Sequence, residues 1–414
     1  MATRLGRPDL KLVPAEQARR ILAETRPVGT EAVPLSSAAG RVLSAPFGAP
    51  ADLPSEKRSV MDGYAVRAAD VAAARPEAPV RLAVAGAVPM GDVFRGPVGP
   101  GQAVSIPTGG FVPDGADAVV MVEQTRTAGE EGVEVLRAVG AGANVVQAGE
   151  DLARGDAVLP AGRRLRPADL ALLATFGVST LQVYRQPRVA VVSTGNELCP
   201  PDETPRPGQV RDANQTALAA QVAAAGCLPA WAGIVPDEPS ALRDTIRGLL
   251  ATHHAVILSG GSSVGTKDLC ADAVADLQPG ILFHGIDIRP GKPTLLARAG
   301  NRSVVGLPGF PTSSLVVFDA FVRPMLWRLG GEVNREPWPA RRPARLGAAH
   351  KSAAGREDYL RVRLTTRDGQ LWADPLPGGS ATLSNVVRAD ALVRIDADRV
   401  EVSAGDPVEA LLYL

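Results

Sequence analysis

At 414 residues the chain is long for one domain, so two to four are expected. Its 44 Lys+Arg balance 44 Asp+Glu, and a formal net charge of 0 leaves no global field to gather nucleic acid or hold an anionic membrane, so any anion site must be a local cluster. No uninterrupted apolar run approaches the ~20 residues of a membrane span, and 1–14 is charged throughout, so neither a membrane segment nor a signal peptide is expected.

Cys199, Cys227 and Cys270 are scattered and odd in number, which implies a reducing compartment and no disulfide framework. The histidines His253, His254, His284 and His350 show no zinc spacing. Proline and glycine fall mostly between apolar runs, as punctuation in a multi-domain globular chain.

A helix is expected over 14–24, with Ala18, Ile21 and Leu22 on one face and Pro27 beyond its end. Short strand pieces follow at 33–35 and 40–43. Asp62-Gly63, inside 58–66, is a turn signal, and nothing local makes Asp62 more than that turn. Residues 82–122 break into short apolar runs split by Gly and Pro, the pattern of a small β domain. It includes the Gly-rich turn Pro107-Thr108-Gly109-Gly110. Gly149-Glu150-Asp151 reads by composition as a solvated turn. A helix over 167–176 starts at Pro167 and stops at Gly177, a strand covers 178–183, and a boundary falls at 185–187.

From 189 strand and helix alternate: strand 189–193, helix 214–225, strand 231–235, then a helix that Asp237 is expected to cap ahead of Pro239. Ala255-Val256-Ile257-Leu258 is the next buried strand. It runs into Gly260-Gly261-Ser262-Ser263, with Lys267-Asp268-Leu269 as a first helical turn. Strand, Gly/Ser turn and helix start can cradle a phosphate, though alone they are equally an ordinary tight turn. Such alternation implies a parallel sheet with helices on both faces, and ligands then bind beyond the carboxyl ends of the strands. Glu197, 260–263 and Asp268 all lie there. A further strand is expected over 281–288, then Arg289-Pro290-Gly291-Lys292-Pro293, a strand at 303–306, and a helix to about 329 with Thr312 and Ser313 suited to its N-cap. Arg289 and Lys292, beside several anion-friendly turns, point to phosphate or oxyanion binding rather than a plain solvated loop. After a linker at 337–343, strand-like runs at 360–365, 371–374, 391–395 and 408–412 read as a small antiparallel β domain, with Gly378-Gly379-Ser380 as a loop.

Taken together these motifs resemble the MoeA molybdopterin molybdenumtransferases, the family that includes the E domain of gephyrin, over nearly the whole chain. The resemblance rests on SVMDGYAV (59–66), PTGGFVPDGADAVVMVE (107–123), GED (149–151), STGNEL (193–198), RDAN (211–214), SGGSSVGTKD (259–268), RPGKP (289–293) and GLPGFPTSS (306–314). Several are weak singly; eight in the family's order are specific.

The resemblance implies a multi-domain α/β protein. It has a central parallel-sheet molybdopterin-binding module (187–330), a discontinuous N-terminal domain (1–45 and 151–186), a β-rich insertion (46–150) and a C-terminal β domain (331–414). It implies a cytoplasmic homodimer that inserts molybdate into adenylylated molybdopterin and releases AMP with Mg²⁺. A molybdopterin adenylyltransferase is implied as a partner. By position, Asp62, Glu197, Asp212 and Asp268 match the functional acids, Glu197 and Asp268 being the expected metal ligands. Thr108, Asp151, Gly260, Gly261, Ser263, Pro308, Gly309 and Pro311 match substrate-contacting positions. Arg289, Lys292, Pro293, Arg356, Arg361 and Ser380 match oxyanion contacts. Asn196, Arg289, Phe310 and Thr312-Ser313-Ser314 depart from the usual family residues. A tungstate-inserting homologue, a non-catalytic pterin-binding scaffold and a hydrolase of another nucleotide are the alternatives. The full set of acids and the terminal motifs weigh against the last two.

Overall fold

Ala255–Ser259 is buried at every residue because it is the middle of a six-stranded sheet. In the computed structural model, which describes residues 12–129, 131–260, 269–336 and 338–413, this sheet runs in the order Leu228–Val235, Arg188–Thr194, Ala255–Ser259, Arg302–Leu307, Leu295–Ala299, Pro279–His284. The first four strands are parallel, and the last two extend the sheet antiparallel. Alternate residues serve opposite faces, as the strand period of two requires. Val189, Val191 and Ile257 pack with Leu218 and Val222 of the helix Asn214–Ala224. Ala190, Val192, Val256 and Leu258 pack with Leu242 and Ile246 of the helix Pro239–Thr252. Truncating the fully buried Ile257 to alanine is expected to cost roughly 2–5 kcal/mol.

Three local expectations are corrected. The apolar run 281–288 is not one strand: it breaks at Gly285, and Ile288–Arg289 joins a different sheet. The last helix is Pro311–Val317, a π-helical turn Phe318–Val322, then Arg323–Leu329. Pro324 cannot donate to the carbonyl of Ala320 and its ring crowds it, so the helix loosens there. The C-terminal strands begin inside the expected linker, at Arg341–Leu346.

The chain divides into two compact units. One comprises Met1–Ala45, Gly162–Leu170 and Ser179–Leu414, the other Pro46–Ala161 and Ala171–Val178. Besides the central sheet, the first unit holds the helix Ala15–Ala23, the antiparallel pair Thr30–Pro34 and Thr180–Tyr184, and a C-terminal barrel. That barrel is a closed ring. Glu357–Arg367, Gln370–Pro375, Arg341–Leu346, Pro407–Leu412 and Ala391–Ile395 pair in turn, and the last pairs back with the first. The second unit is a six-stranded sheet in which Gly63–Val66 lies between Gln102–Ile106 and Ala118–Met121, with Val66, Leu82 and Val120 on one face and Ala65, Val104 and Val119 on the other.

Candidate active site

All four parallel strands end at one cavity of about 630 Å³. Thr194 ends the first and Glu197 follows it; Asp237 follows Val235; Gly260 follows Ser259; Pro308, Gly309 and Pro311 follow Leu307. Gly260 has φ +98°, and a Cβ there would run into the Thr194 carbonyl oxygen, so only glycine lets the two strand ends lie so close. Asn214 ties the others together, its amide donating to Ser259 Oγ (2.6 Å) and to the Gly309 carbonyl (2.8 Å).

Three carboxylates among the described residues line this cavity. Asp212, 4% exposed, accepts from the backbone N–H groups of Asn214 (3.0 Å) and Gln215 (3.1 Å) through Oδ1, while Oδ2 is buried with no partner among the described residues. The helix start thus holds the acid and leaves one oxygen uncommitted. Asp237 is not the cap of Pro239–Thr252; Glu238 occupies that position without a side-chain bond. Asp237 turns back to the neighbouring strand end instead, accepting from Thr194 Oγ1 (2.8 Å) and Asn196 N (3.4 Å). Glu197 is exposed at the cavity. Thr312 and Ser313 do not cap the following helix either. Phe310 is its N-cap residue, both hydroxyl residues are buried inside the first turn, and Ser314 Oγ donates to the Pro308 carbonyl. Gly261, Ser263, Lys267 and Asp268 lie outside the described residues.

RPGKP is divided between two places. Pro293 lines the strand-end cavity, Lys292 is exposed and lines neither cavity, and Arg289 lines a separate pocket of about 270 Å³ with Arg361 and Ser380. The division arises because Ile288–Arg289 pairs in parallel with Glu357 and Asp358 of the barrel. Gly291 (φ +112°) makes the intervening turn where a Cβ would run into Val317. Arg361 donates through Nη2 to the Gly378 carbonyl (2.9 Å), but Nε and Nη1 are buried with no partner among the described residues. Burial pushes this guanidinium below its ordinary pKa, the mark of a cation without a counter-charge. Arg356 does not line the pocket; it is committed to Asp358 (Nε to Oδ1, 2.8 Å).

In the second unit Asp62 and Thr108 are joined. Asp62 Oδ1 accepts from Thr108 N (2.6 Å) and Thr108 Oγ1 (2.9 Å), and these bonds, the backbone one first, hold the carboxyl below its usual range. Asp151 is exposed, with its backbone N–H on the Leu53 carbonyl, and shares none of the Asp62–Thr108 bonds. No three His, Cys, Asp or Glu side chains among the described residues are grouped closely enough to hold a metal by themselves.

Three family models cover the chain: the MoeA N-terminal region (domain I and II) at 13–177, the probable molybdopterin binding domain at 190–328 and the MoeA C-terminal region (domain IV) at 343–413. The chain belongs to the MoeA family. The molybdopterin molybdenumtransferase of Nostoc sp. is 38% identical over 389 residues, covering 92% of this chain and 88% of that one. The Bacillus subtilis molybdopterin molybdenumtransferase is 32% identical over 407 residues, covering 97% and 94%. The crystal structure of the MoeA protein from Pyrococcus horikoshii superposes with a TM-score of 0.83 at 33% identity, covering 97% of this chain and 99% of that one. Within this MoeA chain, Asp237 and Asn214 are among the cavity residues that sequence reasoning did not assign to the site. Asn214 stood inside the RDAN motif; Asp237 carried only the helix-start signal of an acid ahead of Pro239.

Proposed function

We infer that this protein is a molybdopterin molybdenumtransferase, an enzyme of molybdenum cofactor biosynthesis that inserts molybdate into adenylylated molybdopterin with release of AMP. The observation that carries the reading is the convergence of four strand ends on one carboxylate-lined cavity in a chain matched by MoeA family models nearly end to end.

Roles for the residues follow from their chemistry. The cavity offers backbone at Gly260, Pro308 and Gly309 and an apolar wall from Val210 and Phe310, suited to a flat heterocycle and its phosphate link. Mg²⁺ fits this donor set, since it takes one or two carboxylates, keeps waters and shares substrate phosphates, and Asp212 Oδ2 is an uncommitted carboxylate oxygen. Glu197 and Asp212 would hold it, with Asp268 as the family match supplies, and Asp237 would fix the neighbouring strand end through Thr194. Bound there, it would neutralise charge on the phosphoanhydride that is cleaved. Arg361, Arg289 and Ser380 would receive molybdate, a dianion that needs fixed cations and N–H or O–H donors. Arg356 would act by orienting Asp358, and Lys292 as an exposed charge in the same RPGKP segment as Arg289. Asp62, Thr108 and Asp151 are proposed substrate contacts, together with Gly261, Ser263, Pro293 and Pro311. Homodimeric assembly, a molybdopterin adenylyltransferase as substrate donor and a cytoplasmic site of action are proposed on family grounds. Among the described residues no helix is long and apolar enough to cross a membrane.

The test is reconstitution with adenylylated molybdopterin, molybdate and Mg²⁺, following AMP release and active cofactor together. Both should rise with molybdate. AMP release with no metal-loaded cofactor would make the protein a hydrolase and overturn the assignment. Mixing Asp62→Ala with Glu197→Ala subunits tests the dimer: partial recovery of activity is expected, and no recovery in verified heterodimers removes the proposal that subunits share the work.

A further inference from the structure

His350 lines the Arg289–Arg361–Ser380 pocket and has no place in the reading above. Its Nε2 lies 2.8 Å from Asp358 Oδ2. Asp358 is 1% exposed and also accepts from Arg356, Nε to Oδ1 at 2.8 Å and Nη2 to Oδ2 at 3.2 Å. The guanidinium keeps that carboxylate an acceptor, so Nε2 of His350 must carry a hydrogen. This fixes the tautomer and leaves Nδ1 as the ring nitrogen available to a ligand; it makes no hydrogen bond to any described residue. In the neutral ring Nδ1 is a bare lone pair, which opposes an oxyanion. In the charged ring it is an N–H donor bearing part of a full charge, which attracts one.

We propose that His350 is a pH-dependent oxyanion ligand of this pocket, binding the tetrahedral dianion when protonated and weakening its hold when neutral. The proposal rests on the oxyanion reading of the pocket. The other charged groups about the ring are Asp358 and Arg356, Lys351 beside it with Glu401 across the strand pair (3.9 Å apart), and Arg289 and Arg361 across the pocket. Tyr359 also lines it, its hydroxyl tied to Arg19 and Glu357. Of these side-chain types only histidine ordinarily changes charge between about pH 5 and 8. Protonation adds positive charge, so affinity should be high at the acid end and fall as pH rises.

The experiment is calorimetric titration of dilute molybdate, a dianion throughout this range, into the full-length protein at about pH 6 and about pH 8. Wild-type affinity should fall about tenfold between them. His350→Gln can still donate to Asp358 but lacks the titrating nitrogen, so its affinity should be low and change less than about twofold. Independently of any variant, the His350 ring signal, one of four histidines in the chain, should titrate at higher pH when molybdate is present. Parallel affinity curves for wild type and His350→Gln, or a ring titration unmoved by molybdate, overturn the proposal. Arg361→Gln separates the two ideas. If it weakens binding while His350→Gln leaves the pH dependence intact, the pocket reading stands and the role of His350 falls. If Arg361→Gln leaves affinity unchanged, both fall.

Discussion

The strand-end cavity and the barrel pocket differ in charge and in construction. The strand-end cavity is walled by three acids, Glu197, Asp212 and Asp237, against one cation, Arg211, among the described residues, and its frame is four parallel strands stopping at one level. The barrel pocket presents Arg289 and Arg361, and its frame is a two-residue pairing between a loop of the central module and the first strand of the ring. Acids beside a phosphate-bearing substrate call for a metal; unpaired guanidinium nitrogens call for an anion. On the proposed assignment, a neutral chain handles a nucleotide and an oxyanion separately by placing opposite charges at two addresses.

The largest effect expected on this division comes from the acids. Glu197→Ala and Asp237→Asn should each lower AMP release by about 100-fold or more, with molybdate affinity within about twofold of wild type. Equal losses in both measurements would merge the two cavities into one functional site. Next, Arg361→Gln removes one charge from the other address. A charge-assisted hydrogen bond is worth about 1.5–3 kcal/mol, so the molybdate half-saturation should rise roughly 10- to 150-fold while nucleotide-pterin affinity changes little. Lys292→Gln should do much less, under about threefold, because that amine is exposed and its field is screened. A larger effect would return Lys292 to the oxyanion pocket.

The smallest effect concerns a different way of holding a carboxylate. Asp212 has one oxygen left uncommitted, whereas Asp62 is satisfied by two bonds from Thr108. Thr108→Val removes the hydroxyl bond and keeps the backbone one. Since both bonds favour the anion, the Asp62 titration followed by NMR should move up, part of the way to the ordinary value. The sign for stability follows: a depressed carboxyl contributes above its unfolded-state pKa and loses that contribution as pH falls through the folded-state value, so the variant should be slightly less stable at neutral pH, the difference vanishing in acid. No upward movement would mean that the backbone N–H alone sets the titration.

Much of the frame was legible in the residues. Apolar β-branched runs ending in Gly or Pro marked Arg188–Thr194, Ala255–Ser259 and Arg302–Leu307, and the alternation with helices placed a crevice beyond their ends. Asp237 was misread because an acid two residues ahead of Pro239 is also the mark of a helix start, and the local signal cannot tell which way the side chain turns. Thr312 and Ser313 failed for a related reason. With Pro311 as the first helical residue, the cap shifted to Phe310 and both hydroxyl residues were drawn inside the turn.

By itself, then, the sequence determined the elements, their order and the glycine turns that end them, because these follow from side-chain period and backbone freedom within a few residues. The tertiary structure alone decided partners. It sent Arg289 to the barrel and Pro293 to the strand ends, left two nitrogens of Arg361 without a partner among the described residues, and turned Asp237 toward Thr194. A charged or polar side chain is indifferent to which matching group satisfies it, and the nearest one in space comes from a strand tens of residues away. Charge placement, and with it the chemistry, is therefore set only when the sheets close.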